Sequence, residues 1–319
     1  MKRRSLSTFI IIAAVLWAAA AIALGILLLG GHELPFKFKK QDDLSSPPAG
    51  MIPKAMVSVI DVGQGSSLLV KIYGDYIKSI LIDAGEPPFA DEVCDVIDSA
   101  GLSSLDLIVI THPHSDHFGG ATEVLRRYSV DELWLPDISE ELTPTNAAYY
   151  KFLEAADKNG CRVTTKSKAE TLKLSKDSSI SIVDGFVDMP KDLNDASLCL
   201  RIDIGEASFL VTGDGESDLE ATLLERNADI DADILIAGHH GSNTSSGQRF
   251  LNAVTPTASA ISAGRDNDYG HPHPDAVSRL AAFGNIYRTD INGTITFFTD
   301  GDKIAVSADN ISDLLDAGR

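Results

Sequence analysis

Apolar and polar positions divide the chain into three unequal parts. Residues 9–29 form an apolar run without a single charged side chain. About 20 such residues suffice to cross a bilayer core of about 30 Å as a helix, whereas a cleaved signal has an apolar core of about 7–15 residues. Residues 1–31 are therefore predicted to be an uncleaved signal anchor, one transmembrane helix. The basic flank Met1-Lys2-Arg3-Arg4 is expected to stay on the cytoplasmic side, which places everything beyond it outside. Residues 32–54 mix Lys and Asp with Ser45-Ser46-Pro47-Pro48-Ala49-Gly50. That composition has too little apolar surface to fold and reads as a linker.

From residue 55 to residue 319 the pattern changes to short apolar runs separated by helical stretches. Residues 57–60, 67–70, 105–110, 197–202, 208–211 and 232–237 have the length and content of buried strands. Residues 119–127, 216–226, 247–254 and 275–283 read as helices between them. Alternation of this kind points to one α/β domain of about 265 residues, with sheets packed between helix layers.

Composition adds two constraints. Forty-six acidic residues against 27 Lys and Arg give a formal charge of −19, and an acidic body repels a polyanion, since phosphate-binding surfaces are normally basic. Three cysteines, Cys94, Cys161 and Cys199, are too few for a disulfide framework and read as small buried residues.

The chemistry lies in the histidines. Seven of the eight fall in three short segments: Thr111-His112-Pro113-His114-Ser115-Asp116-His117, Gly238-His239-His240-Gly241 and Tyr269-Gly270-His271-Pro272-His273. Just past the strand at 105–110 the chain is still extended, so His112 and His114 project to one side and can share an ion. Asp116 and His117, where a helix begins, can reach a second one. Imidazole with carboxylate suits zinc, with manganese the alternative where oxygen ligands dominate. Prolines 272 and 274 stiffen the last segment, which suits His271 and His273 for general acid work or anion binding.

The block T-H-P-H-S-D-H-F-G-G resembles the signature of the metallo-β-lactamase fold superfamily. Further segments follow in order: Asp61-Val62-Gly63-Gln64-Gly65-Ser66, Asn194-Asp195-Ala196-Ser197, Thr212-Gly213-Asp214, Gly238-His239-His240-Gly241-Ser242 and Tyr269-Gly270-His271-Pro272-His273-Pro274. Together they are similar to the C-terminal metallo-hydrolase domain of ComEC-type competence proteins. The resemblance implies a four-layer αββα sandwich and two divalent metal ions. It implies His112 and His114 on the first ion, Asp116 and His117 on the second, and Asp214 bridging both. The last histidine ligand comes from the His239-His240 pair; His239 is favoured, with His240 contacting substrate or orienting the ligand. Asp83 is implied as a hydrogen-bonding support for the ligand loop. Asp61, Gln64, Asn194, Ser197 and Ser242 are implied to line or support the site.

Two departures stand out. Many members of that superfamily carry a further histidine between the first block and Asp214, and none lies between His117 and His239 here. The ComEC-type pattern commonly has an acidic residue where this chain has Ser66. The resemblance implies a membrane-anchored, extracytoplasmic phosphodiesterase or nuclease of DNA uptake. In this reading Asp116 and Asp214 orient water, while His240, His271 or His273 protonates the leaving oxygen. With one candidate span the chain cannot move DNA by itself, so a separate uptake-channel protein would be its partner. The alternatives are a hydrolase of envelope polymers or small diesters and esters, and a metal-loaded, weakly catalytic binding module.

Overall fold

The computed structural model describes residues 47–74 and 78–310. The expected membrane helix, and the linker up to residue 46, lie outside the described residues. Among those described, no helix is long and apolar enough to cross a membrane.

Fifteen strands form two sheets among the described residues. The first has eight: β1 (Ala55–Val59), β2 (Leu68–Ile72), β3 (Lys78–Ile82), β4 (Ser104–Val109), β5 (Ser129–Pro136) and β6 (Arg162–Lys166), with β14 (Ile295–Thr299) and β15 (Ile304–Ala308) added beyond β1. The second has seven: β7 (Glu170–Lys173), β8 (Ser178–Ile182), β9 (Leu200–Ile204), β10 (Ala207–Val211), β11 (Ile234–Ile236), β12 (Ala258–Ile261) and β13 (Asn285–Arg288). Each sheet joins an antiparallel part to a parallel one. The change falls between β3 and β4 in the first sheet and between β10 and β11 in the second.

Alternation along the strands separates two kinds of core. Met56, Leu69, Leu81, Ile108 and Phe298 face helices α1 (Ala90–Ser99), α2 (Ser115–Phe118), α3 (Ala121–Arg127) and α4 (Ala147–Asn159), whose Val93, Ile97, Phe118, Val124 and Phe152 join the same cluster. Leu210, Leu235 and Ile261 face α5 (Ser217–Glu225), α6 (Gln248–Val254) and α7 (Pro274–Ala281) through Leu219, Leu223, Phe250 and Leu280. The neighbouring residues turn inward, where Phe209 of β10 meets Phe297 of β14 at 6.0 Å between ring centroids. A strand packed in this way cannot slip by one residue without turning its whole inner row to the other face. The result is helix, sheet, sheet, helix: the four-layer sandwich that was expected. Truncating a buried ring such as Phe152, which is fully buried, is expected to cost about 3–5 kcal/mol.

The expected elements are recovered with shifted ends. The strand read at 197–202 begins only at Leu200, so Cys199 lies just before it. All three cysteines are buried and unbridged. Asp116 and His117 sit inside the one-turn helix α2, ahead of α3. The segment from Asp61 to Ser66 connects the antiparallel pair β1 and β2, as expected. β4, β10, β11 and β12 all run parallel to a neighbour and end at the same rim. That rim, beyond the carboxyl ends of parallel strands, is where α/β sheets present their functional loops.

Candidate metal centre

Four ligand-type side chains meet at the rim. Asp116, His117, Asp214 and His240 each offer one donor atom, and these atoms lie within 4.8 Å of one another. His117, Asp214 and His240 are buried, and Asp116 is partly exposed. His117 follows β4, Asp214 follows β10 and His240 follows β11, so three strand ends deliver them.

Each ring is held by its far nitrogen. His117 Nδ1 donates to Asp83 Oδ2 at 2.8 Å, and His240 Nδ1 donates to the Ser262 carbonyl at 2.9 Å. That fixes the tautomer and leaves both Nε2 atoms free to act as donors to a metal. Both Nε2 atoms are buried without a hydrogen-bond partner. Asp83 is itself fully buried and accepts from the Thr111 amide and hydroxyl, each at 2.8 Å. Burial pushes its carboxyl up, against the pull of His117 and Thr111. Its expected supporting place beneath the ligand loop is where it is found.

Asp214 lies within 4 Å of four histidine nitrogens. Its Oδ1 is 3.2 Å from His117 Nε2. Its Oδ2 is 3.5 Å from His240 Nε2, 3.8 Å from His239 Nε2 and 3.9 Å from His112 Nε2. Most of these separations are long for hydrogen bonds. Two donors each about 2.1 Å from a tetrahedral ion stand about 3.4 Å apart, so the spacing fits co-ligands. On the other side, His112 Nε2 and His114 Nδ1 approach to 3.0 Å and so aim at one point. Burial holds both of these imidazoles below the usual histidine range, hence neutral, as ligation requires.

The electrostatics call for added positive charge. Burial disfavours the charged forms, but Asp214 and Asp116 overcome it and raise His240 to about 10; His117 is likewise driven well above the ordinary value. Against the same burial, His240 and His117 hold Asp116 and Asp214 below the usual carboxylate range. The buried Asp214 and the partly exposed Asp116, with unpartnered Nε2 atoms beside them, fit a divalent cation, which supplies that charge without protons.

The His239-His240 pair resolves differently from the expected assignment. It is His240 that joins the four-residue group, because three successive residues, His239 (φ 49°), His240 (φ 53°) and Gly241 (φ 77°), take the left-handed conformation. That turn sends the His240 ring inward, where it is 4% exposed. His239 points into the cavity instead, with Nδ1 3.0 Å from Glu216 Oε1 and 3.2 Å from Thr244 Oγ1. Left-handed non-glycine residues cost on the order of 1 kcal/mol or more each, and His239, His240 and Asp83 (φ 58°) bring three of them to the site.

A cavity of about 300 Å³ opens over these groups and is walled by Gln64, His114, Asn194, His239, Tyr269 and His271 among others. Asn194 donates to Glu216 at 3.2 Å, while its Oδ1 is buried without a partner. Ser197 Oγ accepts from the Asp214 amide at 3.2 Å and so positions that carboxylate. Gln64 Oε1 accepts from Gly264 N, and its Nε2 faces His271 Nδ1 at 3.5 Å. Burial and the neighbouring histidines push His271 down to about 4.

Other expected residues stand away from the cavity. His273 Nδ1 accepts from the Asn243 amide at 3.0 Å and lies at the start of α7, so its ring closes a loop. Ser242 is buried and accepts from Thr244. Asp61 caps its own turn by accepting from Gly63 N at 3.2 Å and lines the neighbouring cavity. The turn it belongs to supports the ligands from below: Ser66 N donates to the Asp116 carbonyl at 3.0 Å. A Cβ on Gly65 would come 2.7 Å from that same oxygen, so the turn needs glycine there.

Two residues at the site, Glu216 and Tyr269, went unread in the sequence. Glu216 orients His239, and Asp195 accepts from the Glu216 and Leu219 amides at 3.0 and 3.2 Å, tying down the first turn of α5. Tyr269 walls the cavity while remaining 70% exposed. An aromatic beside two histidines in a proline-stiffened segment was the available signal for it.

Residues 60–265 match the metallo-beta-lactamase superfamily. ComE operon protein 3 of Bacillus subtilis (strain 168) is 32% identical over 260 residues, covering 76% of this chain and 32% of the relative. Competence protein ComA of Neisseria gonorrhoeae is 31% identical over 254 residues, with 76% and 32% covered. The chain thus spans about a third of the length of these curated relatives. Among solved structures, a CmlA beta-hydroxylase E377D mutant is similar with a TM-score of 0.50 at 12% identity, over 78% of this chain and 55% of that chain; this likeness concerns the fold alone. The matched family covers both ligand-bearing halves of the rim, and the chain belongs to the metallo-beta-lactamase superfamily as a relative of ComEC-type competence proteins.

Proposed function

We propose that the chain is a dinuclear metal-dependent phosphodiesterase, anchored by residues 9–29 and acting outside the cytoplasm on nucleic acid or another phosphodiester. The observation that carries this reading is the buried Asp214, one carboxylate within reach of histidines from both motifs. Its Oδ1 lies 3.2 Å from His117 Nε2, and its Oδ2 lies 3.5 Å from His240 Nε2 and 3.9 Å from His112 Nε2. Asp116, His117 and His240 would hold one ion and His112 with His114 the other, with Asp214 shared. Such ions, when bound, polarise a phosphoryl oxygen and acidify water. Zinc suits the imidazoles, and the oxygen-rich side admits manganese.

The protein's own residues supply the rest. Asp116 and Asp214 orient the attacking water. His240 has its Nδ1 proton engaged with Ser262, so it is unsuited to protonate a leaving oxygen. His239 takes that part, held by Glu216 and open to the cavity, and His271 borders the same space. Asn194, with an unpartnered oxygen, takes the place of the absent middle histidine as a contact for ion or substrate.

The test is turnover of bis-p-nitrophenyl phosphate and of DNA by the full chain loaded with zinc or manganese. Metal-dependent cleavage of the diester is expected; metal binding without turnover would leave a binding module. Cleavage of the small diester alone would move the substrate to envelope polymers or small molecules, a reading favoured by the acidic cavity next door, lined by Asp61, Glu86, Glu92 and Asp290. The anchor is tested by resistance of the chain to alkaline extraction from membranes, and its orientation by protease access from outside. Co-purification with a polytopic channel would support the proposed partner.

A further inference from the structure

Tyr269 is the large exposed side chain that the site chemistry leaves unused. It is 70% exposed, yet it forms part of the cavity wall with His239 and His271. Its ring lies 5.7 Å from that of His271 with 20° between the planes. His271 lies in turn 6.3 Å from His240 at 29°. Near-parallel rings therefore run from the metal centre outward, and the last of them is open to solvent.

The loop that carries the ring is held in place. Asn267 Oδ1 accepts from the Tyr269 amide at 3.1 Å and the His271 amide at 3.0 Å, and its Nδ2 donates to the Gly264 and His271 carbonyls. A ligand that stacks there has little loop entropy to overcome. The cavity wall contains no lysine or arginine, and the adjoining one has Arg265 against four carboxylates. In these two walls a second phosphate would meet one cation, Arg265, outnumbered by carboxylates. Stacking on an aromatic face tolerates an acidic setting, and every nucleobase has a π-face.

We propose that Tyr269 is a stacking platform for an unpaired nucleobase adjacent to the scissile phosphodiester. The inference rests on the phosphodiesterase reading and makes the substrate a nucleic acid whose base is free to leave its stack. A base inside a duplex must first be extruded, so paired substrates are disfavoured.

The experiment compares two single-stranded oligonucleotides of equal length, one with all its bases and one with abasic residues, cleaved by the full chain loaded with manganese. Tyr269→Ala is expected to raise KM about tenfold on the base-bearing strand, to leave kcat within about twofold and to leave the abasic strand unaffected. Tyr269→Phe should restore the original KM. An equal loss on both strands, no loss on either, or failure of the phenylalanine variant to restore KM would overturn the platform. If the unaltered chain cleaves neither strand nor bis-p-nitrophenyl phosphate, the phosphodiesterase reading fails on its own account. Fluorescence anisotropy of the same two strands then decides the platform: tighter binding of the base-bearing strand, lost in Tyr269→Ala, upholds it, and equal affinities overturn it.

Discussion

Two cavities meet at Gln64, and they differ in kind. The larger, of about 530 Å³, is lined by Asp61, Glu86, Glu92 and Asp290 with Arg265. The smaller, of about 300 Å³, holds His114, Asp116, Asp214, His239, His240 and His271. In the larger one two of the four carboxylates have local partners: Asp61 accepts from Gly63 N, and Asp290 is paired with Arg288 at 2.5 and 3.0 Å. In the smaller one His240 Nε2 and Asn194 Oδ1, and beside it His117 Nε2, are buried without hydrogen-bond partners. Buried polar atoms are nearly always satisfied, so several unsatisfied atoms gathered beside ligand-type carboxylates mark where a ligand belongs. Size and acidity do not.

The largest expected effect comes from taking away Asp214, the carboxylate proposed to be shared. Asp214→Ala should reduce diester turnover on the order of 10³-fold, measured as kcat/KM, while circular dichroism shows the fold retained. Retention of full turnover would erase the distinction between the cavities. Asp83→Asn, which touches no substrate, weakens the grip on His117 Nδ1 and is expected to cost about 10–100-fold in metal affinity or activity. A metal titration reads this directly.

A smaller effect concerns Glu220, a buried carboxylate of α5 in neither cavity. Burial pushes it up to about 7, although it accepts from the Gly247 and Ser246 amides. Its folded value lies above the ordinary one near 4.5, so folding takes up a proton between these limits. Stability should therefore fall as pH rises from about 4.5 to about 7 and level off above. Glu220→Gln should flatten that part of the Tm profile by about 2–4 °C, and an unchanged slope would remove the assignment. The smallest effect is expected in the acidic cavity, where Glu92→Gln should alter stability by no more than about 0.5 kcal/mol and leave diester turnover within error.

Much of this site was legible before any coordinates. His112, His114, Asp116, His117 and Asp214 follow strands whose apolar runs are plain, and parallel strands bring their ends to one rim. Asp83 was legible only through the family resemblance, as a support for the ligand loop. The His239-His240 pair was not, because adjacent residues have the same chemistry and only three successive left-handed residues decide which ring turns inward. His273 and Ser242 carry site-like chemistry, but Asn243 and Thr244 engage them. Asp195 lies in a motif resembling a ligand segment, yet its carboxylate accepts backbone amides of α5. Such partners are tertiary, and no spacing along the chain encodes them. Net charge was the least local signal of all, since −19 is a property of the whole chain.

The central claim is that remote imidazoles and carboxylates jointly hold divalent ions, and metal content after dialysis tests it most directly. The unaltered chain, loaded with zinc or manganese and dialysed, is expected to retain two ions per chain by elemental analysis. Asp214→Ala should retain fewer than one, and His240→Ala should lose more than His239→Ala. Two ions retained without Asp214, or none retained by the unaltered chain, would contradict the account.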